Sequence, residues 1–259
     1  MNRNIYVLLG LMSVFAWIKC SPPNPTFTDP VILPLAGYDT LPKVTYHRDS
    51  AWSNFPPFIG KYSFGDPIDL NDFPAFKDIP DEDYLHEYRD WDPEGYDVRG
   101  FDIRVAYDQD LFVPYDFFEP YELVRYFPVF FVNETDSVLV FTGRNNYTFG
   151  LQEALSWPDS IARWGLIETP GVEFCGNGGF AIRVHPGEFV TVLMLKYSGS
   201  VDTQLRVRFV IGDEEYVSAS FPGQVNPQQF MLSNRDRSWI NPAYGCDEDW
   251  FYGGTPLGY

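Results

Sequence analysis

Apolar and polar residues alternate in three parts of the chain beyond residue 97. Residues 101–106, 180–185 and 204–212 place apolar side chains, nearly all of them β-branched or aromatic, at every second position. Successive side chains of a strand point to opposite faces of a sheet, so a period of two predicts half-buried strands. Shorter apolar runs predict further strands at 129–132, 138–141, 166–168, 189–195 and 216–220.

Turn-forming residues separate these runs, as in Gly176-Asn177-Gly178-Gly179 and Pro186-Gly187. About eight strands at this spacing predict an all-β domain over residues 96–240, an antiparallel β-sandwich of immunoglobulin-like type. A barrel is the alternative arrangement of the same strands. Residues 151–155 interrupt the strand pattern, and the good helix formers Gln152-Glu153-Ala154 predict one short helical piece there.

The segment before this domain has a different composition. Residues 66–122 hold 18 acidic and 4 basic side chains, together with many aromatic residues and prolines. We expect residues 20–95 to be a proline-rich, acidic and largely irregular segment, whose first part is a tether and whose later part packs on the domain. Residues 241–259 form an acidic and aromatic C-terminal tail without a periodic pattern.

The N-terminal residues have the pattern of an export signal. Arg3 precedes an uncharged, apolar run of 14 residues, 5–18, which makes about 21 Å of helix. This is the length of a signal-peptide core and shorter than a membrane span, and no later segment is long and apolar enough to span a bilayer. Residues 1–19 are therefore predicted to be a signal peptide of an exported protein.

Cys20 directly follows this leader and resembles the lipid-attachment site of bacterial lipoproteins. The resemblance implies that cleavage leaves Cys20 as the first residue and that acyl chains anchor it in a membrane. Lys19 stands where such sites carry a small residue. Plain signal cleavage and an uncleaved anchor are therefore the two alternatives to lipidation.

Two further cysteines remain in the exported chain, Cys175 and Cys246. An oxidising compartment favours a disulfide between them. It would close a loop of about 71 residues and stabilise the fold by roughly 4 kcal/mol. The alternative is two separate buried thiols.

Charge and aromatic content exclude two classes of protein. Without residues 1–19 the chain holds 36 acidic and 16 basic side chains, a net charge of −20, which repels nucleic acids. The 7 Trp, 17 Tyr and 23 Phe are too many for a disordered chain.

Metal-binding residues are sparse. The three histidines, His47, His86 and His185, do not stand at zinc-ligand spacing, and no Cys-x-x-Cys occurs. Calcium is the one candidate cofactor, because it takes carboxylate oxygens. Its candidate ligands are Asp81, Asp83, Asp90, Asp92 and Glu94. The alternative is a solvated acidic surface, since the spacing of an EF-hand is absent.

Catalytic patterns are equally sparse. No Gly-x-Ser-x-Gly turn is present. Cys175 and His185 form a conceivable nucleophile–base pair, but a bridged cysteine and a surface histidine explain the same residues. Paired carboxylates hydrolyse glycosides, and with 36 acidic residues the sequence singles out no pair. We therefore do not expect an enzyme, and a secreted glycan hydrolase is the alternative.

Aromatic residues are the main candidates for ligand contacts. Tryptophans in loops or at strand ends are candidates for ligand contacts: Trp157, Trp164, Trp239 and Trp250. The alternative is that these rings cap the hydrophobic core. Two glycosylation sequons, beginning at Asn133 and Asn146, would mark surface loops if the protein came from a eukaryote.

Several stretches of the domain resemble uncharacterised secreted lipoproteins of Bacteroidetes-type bacteria. These stretches are 127–137, 152–155, 175–177, 197–199 and 203–206. The resemblance implies an envelope location and a β-rich domain, and it brings no catalytic residues.

The expected function is that of a non-enzymatic lipoprotein of the cell envelope. It would bind an envelope protein or a glycan, or serve as an accessory subunit of an envelope assembly, and it would not bind nucleic acid. The sequence does not decide which face of the membrane it occupies.

Overall fold

A computed structural model describes eleven stretches of the chain: residues 26–38, 40–45, 53–54, 56–72, 79–85, 97–114, 122–144, 147–156, 163–170, 179–212 and 214–230. These stretches form a nearly all-β structure of several sheets. Two short 3-10 helices, Leu70–Asp72 and Pro227–Phe230, are the helical elements of the described part.

Six strands precede residue 97: β1 (Ile32–Leu33), β2 (Lys43–Val44), β3 (Ser53–Asn54), β4 (Phe58–Ser63), β5 (Ile68–Asp69) and β6 (Tyr84–Leu85). Twelve follow it: β7 (Asp102–Val105), β8 (Leu111–Pro114), β9 (Leu123–Val132), β10 (Leu139–Arg144), β11 (Phe149–Ser156), β12 (Arg163–Leu166), β13 (Thr169–Pro170), β14 (Gly179–Val184), β15 (Glu188–Leu195), β16 (Val201–Ile211), β17 (Glu214–Val217) and β18 (Phe221–Val225).

Strand β9 organises the central sheet, which contains β2, β4, β7, β8, β9 and β15. β15 pairs antiparallel with residues 126–132 of β9, and β4 pairs with the other edge of β15. β7 and β8 pair in succession with β9, at residues 129–132 and 123–126.

Pro128 lies in the middle of β9, at the gap between the β7 and β8 ladders. Its carbonyl accepts a hydrogen bond from the backbone N–H of Ala106, the first residue after β7. In an extended strand the N–H and C=O of one residue point to the same side, so the N–H that proline lacks would have pointed into this gap. The proline therefore costs the sheet no ladder hydrogen bond.

The second large sheet, called here the outer sheet, contains β12, β11, β16, β17 and β18. β16 pairs with β11 along one edge and with β17 and β18 in succession along the other. A third sheet has the order β10–β14–β6, and β1–β5 and β3–β13 form two small parallel pairs.

The central sheet is buried on both faces. Phe127, Val129 and Phe131 of β9 pack into one hydrophobic core with residues of β10, β14 and β16. The alternate residues Phe130 and Val132 pack into a second core with residues of β8, of β15 and of the segment before residue 97. This double burial explains why β9 and β15 are nearly continuous apolar runs rather than alternating ones.

The predicted all-β class is confirmed, and so are the strands that alternation predicts, which correspond to β7, β14 and β16. The helix predicted at 151–155 is wrong, because these residues form the middle of β11. β11 is hydrogen-bonded to β12 and β16 on its two edges, and its residues Leu151 and Ala154 are buried. Strand pairing and burial override helix propensity there.

The largely irregular segment expected over residues 20–95 is not confirmed in its described part. Six strands come from it, and β4 is a full member of the central sheet. Phe27, Phe58, Ile59, Ile68 and Leu70 are each at most 4% exposed. Phe58 of β4 packs into the first core, whereas the other four pack into the second, so the described residues before residue 97 supply part of both hydrophobic cores.

Candidate functional site

An open groove of about 530 Å³ lies along β16 and β18 of the outer sheet. Strand β16 alternates along its length, so Thr203 and Leu205 are buried while Asp202 and Gln204 are exposed. On β18 the residues Pro222 and Gln224 are exposed in the same way. The period of two that predicts a half-buried strand thus also places polar side chains on the solvent face, where they line the groove.

Strand register aligns four residues of this face in one row across the outer sheet. Gln204 lies opposite Pro222 of β18, and Leu155 of β11 lies opposite Trp164 of β12. The antiparallel ladder between β11 and β16 pairs Ala154 with Leu205, which brings Leu155 next to Gln204. Adjacent strands lie about 4.8 Å apart, so the row Pro222–Gln204–Leu155–Trp164 is about 14 Å long.

The polar side chains of the groove differ in whether they form hydrogen bonds within the protein. The side-chain amide of Gln224 donates to Oδ1 of Asp202 at 2.9 Å. The Thr203 hydroxyl donates to the backbone carbonyl of Leu155. Within the described part of the chain, the exposed Gln204 side chain makes no hydrogen bond. Its amide therefore offers both donors and an acceptor to a ligand.

Aromatic side chains support the groove from below. Tyr107 packs on Phe221 of β18, with ring centroids 4.8 Å apart, and on Phe127 of β9 at 5.0 Å. Burial raises the pKa of the Tyr107 phenol, against the opposing effect of a hydrogen bond from the backbone of Gln224. The phenol thus stays neutral and anchors β18 to the core.

Trp164 stands at one end of the row beside a network of ion pairs. The guanidinium of Arg206 lies 4.3 Å from the centre of its ring. Arg206 also donates to Glu153, and Arg208 pairs with Glu153 at 3.0 Å and with Glu215 at 3.2 Å. Because these carboxylates neutralise both arginines, the network holds one face of the indole ring and adds little net charge to the groove.

A second charged cluster is buried between the N-terminal strands and the domain. Lys61 of β4 contacts Asp83 at 2.8 Å and Glu188 at 2.9 Å, and its side chain is 5% exposed. The Nε2 atom of His185 lies 2.7 Å from the other oxygen of Asp83. Burial raises the pKa of Asp83, but the hydrogen bonds and charges of Lys61 and His185 outweigh it and hold this pKa below its usual value. The cluster ties β4 and the turn before β6 to β14 and β15.

This cluster bears on the predicted calcium ligands. Both oxygens of Asp83 are engaged by Lys61 and His185, so Asp83 has a partner within the protein. Asp81 is exposed in the turn before β6, whereas Asp90, Asp92 and Glu94 lie outside the described residues. In the described stretches no three acidic, histidine or cysteine residues are grouped to hold a metal ion. Calcium binding stays a prediction.

Of the four tryptophans predicted to contact a ligand, one lies in the described part of the chain. Trp164 is half-buried on β12 beside the groove, whereas Trp157, Trp239 and Trp250 lie outside the described residues. The other groove residues were not identified from the sequence. The polar alternation of Asp202 and Gln204 on β16 was the available signal, but it marks a solvent face without marking a site.

The cysteine predictions also fall outside the described residues. None of the three cysteines, Cys20, Cys175 and Cys246, lies in the described part of the chain, so lipidation and the disulfide stay predictions. His185, the conceivable base for Cys175, is paired with Asp83, as described above.

The sequon at Asn133 does not mark an accessible side chain. Asn133 is 0% exposed. Its side-chain amide donates to the backbone carbonyls of Ser137 and Val184, each at 2.8 Å. The asparagine closes the turn that follows β9. The second sequon residue, Asn146, lies outside the described residues.

Over the described stretches, no helix combines the length and the hydrophobicity required to cross a bilayer. No protein-family model matches the chain, and no curated protein matches it significantly. The functional argument therefore proceeds from the geometry of the groove.

Proposed function

We propose that this protein is a non-enzymatic, exported binding module of the cell envelope, and that it binds glycans in the groove of the outer sheet. One observation carries the proposal: the amide of Gln204, which makes no hydrogen bond to a described residue, lies in a row with the apolar side chains of Pro222, Leu155 and Trp164. A sugar presents hydroxyls that both donate and accept, and it presents C–H faces that pack on apolar and aromatic side chains. The row offers both kinds of contact.

The surface favours this function over an accessory subunit with a broad apolar interface. In the described part of the chain, the exposed large hydrophobic residues fall at four places: Val31 and Leu33 at β1, Val138 before β10, Val201 on β16 and Val217 on β17. Protein interfaces of that type need a contiguous apolar patch. An open groove that combines polar side chains with apolar surface is better matched to a sugar, which has hydroxyls and C–H faces.

Hydrolysis is the second candidate function. It requires two carboxylates facing each other at about 5–10 Å. Asp202 is the single carboxylate among the described lining residues, so a hydrolase would need a second one from outside the described stretches. The groove as described supports binding better than bond cleavage.

The proposal includes the protein's cellular location and the topology of its β-domain. The leader at residues 1–19 and Cys20 support export and a lipid anchor. The antiparallel ladders of β9, β15, β11 and β16 support the immunoglobulin-like sandwich. Loss of membrane retention in Cys20→Ala would support the anchor, and unchanged retention would contradict it.

The test of glycan binding uses the full exported chain on an array of soluble polysaccharides. We expect wild type to bind at least one of them, and Gln204→Ala and Trp164→Ala each to weaken binding at least fivefold. Gln228→Ala is the matched control, because Gln228 is an exposed amide on the 3-10 helix after β18 and does not line the groove. Thermal melting verifies that each variant is folded.

The proposal would be overturned if wild type bound no glycan, or if both groove variants bound as tightly as Gln228→Ala. Release of reducing sugar from the bound polysaccharide would instead support the hydrolase.

A further inference from the structure

The described lining of the groove carries one formal charge. Asp202 is the sole charged residue among the described residues that line it, and its neighbours there are amides, a hydroxyl and apolar side chains. Arg206, two residues beyond Gln204 on the same face of β16, is paired with Glu153 and packed on Trp164. No free positive charge of the described part therefore faces a ligand in the groove.

The carboxylate of Asp202 is held in place. Gln224, which lies directly opposite it on β18, donates to Oδ1 at 2.9 Å. Asp202 is exposed, so its second oxygen can accept hydroxyl hydrogens from a ligand. Gln204 lies two residues further along the same face of β16, about 7 Å away. A carboxylate acceptor and an amide are thus presented side by side along one strand.

These groups discriminate by charge. A carboxylate accepts hydrogen bonds from hydroxyls and makes stronger bonds than a neutral acceptor. It repels a carboxylate or sulfate group on a ligand, and the chain's formal net charge of −18 adds to this repulsion. Specificity against a ligand often rests on such a repulsive element.

We propose that the groove selects uncharged glycans, whose hydroxyls bind Asp202 and Gln204, and that it rejects polysaccharides that carry carboxylate or sulfate groups. This inference rests on the proposed glycan-binding function and adds the class of glycan and the residue that sets it.

The test compares each polysaccharide with its own charged derivative. The probes are a soluble mannan, a soluble β-glucan and a dextran, each in native and in carboxymethylated form, measured with the full exported chain. We expect the native form to bind at least tenfold more tightly than the derivative. Measurement in 0.5 M salt screens distant charges, so the remaining discrimination comes from groups in the groove.

Asp202→Asn assigns the discrimination to one residue. Because an amide is a weaker acceptor and carries no charge, we expect this variant to bind the native glycan about tenfold more weakly and to lose most of its preference for it. Asp136→Asn is the matched control, since Asp136 is an exposed acid in the turn after β9 and changes the net charge equally. This control should keep both the affinity and the preference.

The outcomes separate the two proposals. Equal or tighter binding of the carboxymethylated forms by wild type, or an unchanged preference in Asp202→Asn, overturns the inference and leaves glycan binding standing. Failure of wild type to bind any native or carboxymethylated probe overturns glycan binding itself.

Discussion

The central sheet and the outer sheet are built from similar antiparallel ladders but have different surroundings. The central strands β9 and β15 pack against hydrophobic cores on both faces. β16 of the outer sheet buries alternate residues and leaves Asp202 and Gln204 in solvent. A sheet that is covered on both faces has no surface for a ligand, so the central sheet supplies stability and the outer sheet supplies the candidate site.

The largest expected effect lies in the central sheet. Phe131 of β9 is 0% exposed and packs edge-on against Phe141 and Phe209, with ring centroids 5.0 and 4.9 Å away. Phe131→Ala should lower the free energy of unfolding by about 4 kcal/mol, because it removes buried area and leaves a cavity. Urea denaturation measures this change, and a loss below about 1 kcal/mol would contradict the double burial of the sheet.

An intermediate effect is expected at the charged cluster that joins the N-terminal strands to the central sheet. The pKa of Asp83 lies below its usual value, chiefly because Lys61 and His185 outweigh the cost of burial. Asp83→Asn should lower the free energy of unfolding at pH 7 by about 2 kcal/mol, since a buried charge-assisted pair is lost while Lys61 keeps Glu188.

The pH dependence of that effect has a fixed sign. A carboxyl group whose pKa is lower in the folded state stabilises the fold above its unfolded pKa of about 3.9. This stabilisation is lost as the pH falls through the lower, folded pKa. Denaturation at pH 7 and at pH 2.5 should therefore show the difference between wild type and Asp83→Asn shrinking in acid. A difference that is equal at both pH values would contradict the assignment.

The smallest effect on stability is expected in the outer sheet. Gln204 is exposed and makes no hydrogen bond to a described residue. Gln204→Ala should change the free energy of unfolding by less than about 0.5 kcal/mol. The same denaturation assay measures it, and a loss above about 1.5 kcal/mol would make Gln204 a structural residue rather than a ligand contact.

The sequence predicts those strands best that are buried on one face. β14 and β16 alternate cleanly and are found where period two places them. β18 was missed, because its sequence Phe-Pro-Gly-Gln-Val resembles a turn. Among the described strands it pairs only with β16, and proline is tolerated in such edge strands. β11 was misassigned, because local propensity carries no information about its two partner strands.

The candidate site was less predictable than the fold. Trp164 could be selected as a tryptophan in a loop or at a strand end, but its neighbours in the folded chain are set by strand register. Leu155 and Gln204 are 49 positions apart in the sequence and lie side by side only after β11 pairs with β16. The contact of Lys61 with Asp83 and Glu188 likewise joins three distant segments. Such juxtapositions are properties of the folded chain.

The buried amide of Asn133 has a consequence for producing this protein in yeast or animal cells. Their secretory machinery attaches oligosaccharides to sequons while the chain is still unfolded. A sugar on the Asn133 nitrogen would remove one donor hydrogen and would have to fit where the side chain is 0% exposed and bonded to Ser137 and Val184. Modified molecules would be unable to close that turn. Because a second sequon begins at Asn146, Thr135→Ala alone would leave an acceptor, so bacterial expression is the route to homogeneous material.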